Sequence, residues 1–160
     1  MKKSAPRLSD GQLKRFYRLM SVRMTDFDCG ALCAPGNDGI PVCCDGEQTV
    51  PLLYRDEFKW QRRKNGSFWK RLKPRTKADR KLMKSVASYN VFAVCPGPAE
   101  CKRSRRALVC RMYPFEPYLD KKGKVLGLVY QHDRKEKCPL IGRPQKTYNP
   151  VYIRNSVEFW

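Results

Sequence analysis

Apolar and polar positions alternate in distinguishable ways along the chain. Ser9-Asp-Gly-Gln12 has the S-x-x-Q form of a capping box, and Leu13, Phe16, Tyr17, Met20 and Met24 follow at helical spacing. This predicts a helix over about 10–24 with its apolar stripe turned inward. Periodicity then stops: positions 26–47 are rich in Gly, Pro, Asn and Asp and predict loop. The run from Val50 to Tyr54 predicts a short strand at a sheet edge, because Pro51 has no N–H to give a ladder. Helices are expected near 55–64 and behind Thr76 over 77–87, broken by Asn65-Gly66. Val91 to Val94 reads as a buried strand that delivers Cys95. Phe115–Leu119 and Val125–Tyr130 flank Asp120-Lys-Lys-Gly123 and predict a hairpin. From Gln131 the chain is punctuated by Cys138-Pro139, Pro144 and Pro150, and no element is assigned there. Together these predict an α+β fold, a small single domain over 1–160 with short helices, a hairpin and cysteine-rich loops gathered around a metal centre.

Charge changes this picture. The chain has a net charge of +19 and 41% hydrophobic residues in 160, a modest apolar supply for which a metal site would compensate by contributing folding free energy. Between Arg55 and Lys84 thirteen cations face three acids, so the stretch 55–87 reads as a basic helical insertion between two cysteine clusters. Arg62, Arg63, Lys64, Trp69, Lys70 and Arg71 make it a candidate nucleic-acid interface, with cations on phosphates and an aromatic for stacking. A solvated basic face over core aromatics is the plainer reading, and an acidic protein is a further partner for such a surface.

The cysteines change it most. Eight stand in 160 residues: Cys29, Cys33, Cys43 and Cys44 in the first half, then Cys95, Cys101, Cys110 and Cys138. No apolar run is long enough for a secretion signal or a membrane span, which predicts a cytoplasmic protein without a membrane partner. In a reducing compartment so many thiols are better explained as ligands than as disulfides. The spacings C-x3-C-x9-C-C and C-x5-C-x8-C match neither zinc knuckles nor the ferredoxin run. The vicinal pair reaches one ion only through a turn; serving two metals, or two irons of one cluster, is easier. Eight sulfurs can fill two four-ligand sites, or one site with the remainder in the core. Thiolate suits zinc and iron-sulfur clusters alike, including 4Fe-4S. Arg111 and Tyr113, beside Cys110, are expected just behind the ligands, where a cation offsets thiolate charge. His132, the single histidine, reads as structural or exposed.

A cysteine-rich loop closing on Cys43-Cys44, followed by Cys95, Cys101 and Cys110-Arg111-Met112-Tyr113-Pro114-Phe115, resembles the YkgJ-like family of zinc- or iron-chelating proteins. That family's pattern is written CxxCxxCC, with a second segment ending C-R-x-[FY]-P-F. The resemblance spans about 27–118, and the insertion of Ala34 to Val42 before the vicinal pair departs from it. It implies metal binding by the cysteines, often as an iron-sulfur cluster, and no established reaction.

Three functions follow as expectations. The first is a cysteine-ligated metal protein with a structural or redox role. The second is a basic nucleic-acid-binding protein whose metal site only holds the fold. The third is a metal-dependent enzyme, for which Glu100 and Glu116 are the nearby carboxylates. The sequence favours a non-enzyme: all-cysteine sites leave no open position, and neither a P-loop nor a Ser/His/Asp set is present.

Overall fold

A computed structural model describes residues 7–46, 49–131 and 138–160. The elements in chain order are α1 (Asp10–Leu19), α2 (Gly30–Cys33), β1 (Leu52–Tyr54), α3 (Arg55–Asn65), β2 (Lys70–Arg71), α4 (Lys77–Ser85), β3 (Asn90–Val94), α5 (Leu108–Met112), β4 (Phe115–Leu119), β5 (Val125–Tyr130) and α6 (Pro150–Phe159). Short 3-10 turns join them, and the fold is α+β. No helix among the described residues is long and apolar enough to cross a membrane.

The capping box forms in both directions. Ser9 Oγ accepts from the Gln12 N–H at 3.2 Å, and Gln12 Oε1 accepts from the Ser9 N–H at 2.9 Å. Thr76 and Asp79 make the same reciprocal pair at the start of α4. Helix α1 ends at Leu19 instead of running to about 24, because other groups take its last carbonyls. Arg111 donates to the carbonyls of Tyr17 and Met20 at 3.3 Å each, and Asn155 donates to that of Leu19 at 2.9 Å. Helix α6 stands where the sequence assigned nothing. Asn149 accepts from the Val151 N–H at 2.9 Å, and Pro150 occupies the first turn, where its missing N–H costs nothing. The proline read as punctuation starts a helix.

Strand β3 is central, paired antiparallel with β1 (Leu52 opposite Phe92) and β2 (Lys70 opposite Val94). This leaves β1 at an edge, and the Pro51 carbonyl still accepts from the Ala93 N–H at 2.9 Å. Strands β4 and β5 form the expected hairpin. Asp120 Oδ1 accepts from the Lys122 and Lys124 N–H groups at 2.8 Å, and Gly123 holds φ +82°.

Two hydrophobic clusters result. The larger joins α1, α6 and the hairpin through Leu13, Tyr17, Met20, Trp60, Leu108, Met112, Phe115, Leu140, Tyr148, Tyr152 and Phe159. The smaller, under the sheet, has five buried members, Leu53, Phe68, Trp69, Ala93 and Ala107. Between them lies the buried Glu57 carboxylate, which accepts from Tyr17 Oη at 2.7 Å and from the Leu108 N–H at 2.8 Å. Burial raises its pKa above the ordinary carboxylate value, and these donors only partly oppose the rise. The basic stretch is therefore built into the core through α3, which buries Glu57, Trp60 and Gln61.

Candidate metal centre

All eight cysteines are free thiols, each partly buried. The segment expected to be loop contains two helical turns that aim four of them. Cys29 and Cys33 bracket the single turn of α2, four apart and so on one face. Asp28 Oδ1 accepts from the Gly30 N–H at 3.0 Å. A side chain at Gly30 would come within 3.1 Å of Pro41, so glycine lets the 41–44 stretch approach α2. There a 3-10 turn, Val42–Cys44, carries the vicinal pair, with Cys43 and Cys44 Sγ 4.0 Å apart.

The sulfurs of both chain halves converge on two neighbouring cavities. The first, about 220 Å³, is lined by Cys29, Cys33, Cys43, Cys110 and Cys138, with Asp28, Arg103, Arg106, Arg111 and Tyr113 also in its wall. The second, about 280 Å³, is lined by Cys43, Cys44, Cys95, Cys101 and Cys110, again with Arg106. About 10–15 Å³ of such space admits one water, so these thiols border open space as well as the core clusters five of them pack against. The described residues contain no group of three or more His, Cys, Asp or Glu side chains already arranged to hold a metal ion. The thiols line common walls without closing on a point.

The donor set nevertheless fits a thiophilic metal in several respects. The backbone N–H of Val42 lies 3.5 Å from Cys33 Sγ. Burial raises the pKa of Cys95 and Cys138, and nearby backbone amides, of Gly97 for the first and of Leu140 and Ile141 for the second, pull the other way. Such amides orient and stabilise thiolate ligands. Both Cys95 and Cys138 precede proline. Burial, followed by the charge of neighbouring thiolates, also raises Cys29 and Cys110. Within the vicinal pair, the Cys43 S–H donated to Cys44 lowers Cys44 to about 7 and pushes Cys43 up. A bound cation would oppose both the burial cost and the repulsion that raise Cys29 and Cys110.

The arginines divide the work differently from expectation. Arg111 is buried and lines the first cavity, but its guanidinium donates to five backbone carbonyls, those of Arg103, Ser104 and Arg106 as well as Tyr17 and Met20. It also stacks 4.6 Å over the Tyr17 ring. Arg111 is thus chiefly a strut. Arg106 lines both cavities, and its Nε is buried without a hydrogen-bond partner. Burial works against its charge, yet thiolate at Cys101, Cys44 and Cys43 outweighs burial and raises its pKa. Tyr113 lies in the wall of the first cavity, followed by a cis bond to Pro114. Glu100 and Glu116 are exposed and line neither of these two cavities, although Glu100 borders a third hollow beside Cys95. His132 lies outside the described residues.

The nucleic-acid candidates separate into two groups. Trp69 is 1% exposed and donates its indole N–H to the Arg105 carbonyl at 2.9 Å, so no base can stack on it. Phe68 and Trp60 are buried as well. Arg63 pairs with Asp10 at 2.6 Å, and Lys64 sits 4.3 Å over the Trp60 ring. All five cations, Arg62, Arg63, Lys64, Lys70 and Arg71, are exposed. The aromatics among the cations face inward because they build the two cores.

No family model, curated protein or solved structure matches the chain. The likeness to the YkgJ-like family rests on the cysteine and Cys110–Phe115 residues alone.

Proposed function

We propose that this chain is a cysteine-ligated metal protein, holding zinc or an iron-sulfur cluster in a structural or redox role. The observation that carries the reading is that eight thiols, from segments more than a hundred residues apart, line two cavities with a common wall. The Val42 amide aimed at Cys33 Sγ and an unpartnered buried arginine nitrogen support it. Cys29, Cys33, Cys43, Cys44, Cys95, Cys101, Cys110 and Cys138 would be the ligand pool. When bound, the metal would cross-link loops that otherwise have little apolar packing and would neutralise their thiolates. Anaerobic purification followed by absorption spectroscopy and metal analysis tests the reading. A brown protein with iron and acid-labile sulfide identifies a cluster, and a colourless one with zinc identifies a zinc site. A metal-free protein whose thermal unfolding ignores both chelators and added metal overturns the proposal.

A further inference from the structure

The thiols are partitioned as well as gathered. Of these two cavities, Cys29, Cys33 and Cys138 line the first and not the second, whereas Cys44, Cys95 and Cys101 line the second and not the first. Cys43 and Cys110 stand in the wall between and belong to both. Three exclusive sulfurs on each side, plus one from the wall, give four on each side, the number that closes a thiolate zinc site or a cubane cluster. Packing divides them along the same line: Cys29 and Cys138 lie against the larger core, and Cys95, Cys101 and Cys110 against the smaller.

From this partition we infer two separate four-thiolate centres side by side, Cys29, Cys33, Cys43 and Cys138 around one and Cys44, Cys95, Cys101 and Cys110 around the other. The inference rests on the metal-binding reading above and deepens it. The vicinal pair is the divider, sending one sulfur to each side from a single turn. Its 4.0 Å separation is also near the roughly 3.8 Å expected of two ligands on one tetrahedral zinc with bonds of about 2.3 Å. That alternative would assign Cys110 to the first centre, although Cys110 packs on the smaller core beside Cys95 and Cys101. It is therefore the less consistent assignment. Four thiolates on a divalent ion or a dipositive cluster leave about two negative charges, so two adjoining centres need a cation between them. Arg106 is in that position, in the walls of both cavities with a buried Nε unpartnered.

Native mass spectrometry of the full chain, purified anaerobically, counts metal on folded molecules and tests the partition. The wild type is expected to carry two centres. Cys33→Ser and Cys95→Ser should each keep one, the double variant Cys33→Ser/Cys138→Ser should also keep one, and Cys33→Ser/Cys95→Ser should keep none. Cys43→Ser should lose the same centre as Cys33→Ser, and Cys44→Ser the other. If Cys95→Ser yields no folded chain, Cys101→Ser takes its place. A wild type with a single centre, or a Cys33→Ser/Cys95→Ser chain no poorer in metal than either single variant, overturns the partition and leaves metal binding standing. Cys43→Ser and Cys44→Ser removing one and the same centre overturns the split of the pair. A wild type with no metal overturns both readings together.

Discussion

The two hydrophobic clusters hold together in different ways. The α1–α6 side buries eleven side chains, six of them aromatic: Tyr17, Trp60, Phe115, Tyr148, Tyr152 and Phe159. The sheet side buries five and is completed by Cys95, Cys101 and Cys110 packed against it. The second has fewer apolar members from which to draw burial energy, so fixing the thiols packed on it would add proportionally more there. On the proposed reading, metal is a structural component of the sheet side and an addition to the helical side.

The largest effect expected is on the poorer core. Leu53 is fully buried there, and Leu53→Ala should cost about 2–5 kcal/mol in denaturant unfolding. Leu13→Ala, equally buried in the larger core, should cost a similar amount, but hydrogen exchange should place the loosening elsewhere. Leu53→Ala should open β1–β3 and the Cys95–Cys110 loop, and Leu13→Ala should open α1 and α6. Matching exchange patterns would erase the distinction between the two sides.

An intermediate effect belongs to the strut between them. Lysine cannot reproduce the fork with which Arg111 reaches five carbonyls. Arg111→Lys should therefore lose about 1.5–3 kcal/mol by the same assay. The smallest effect is a slope with pH. Glu57 is buried with a raised pKa, so its contribution is most favourable when it is protonated and is lost as pH rises through its folded-state pKa. Glu57→Gln keeps an acceptor for Tyr17 and Leu108 without the charge. Its melting temperature relative to wild type should rise as pH climbs from about 4; a flat difference would show that Glu57 carries no net penalty.

Local signals were legible where one short motif settles the conformation. The Ser9 and Thr76 capping boxes, the Asp120–Gly123 turn and the edge position forced by Pro51 could all be read from the residues. Helix α6 could not, because Pro150 marks a break and a first turn equally well, and only burial of Tyr152 and Ser156 against α1 decides between them. The grouping of cysteines in two segments was visible, but their partition between two cavities was not, since it depends on how α2 meets the 41–44 turn. Arg106 is one of several neighbouring cations of the same chemistry; the fold alone distinguishes it from Arg111, five positions further on.

The stitch between Asn155 and the Leu19 carbonyl joins residues 136 positions apart. On a ribosome adding about 5–20 residues per second, the first helix can meet Trp60 and Leu108 early, yet it waits roughly 7–27 s after its own synthesis for α6. The helical core is therefore assembled in two instalments, and its last face is closed only when the final residues emerge.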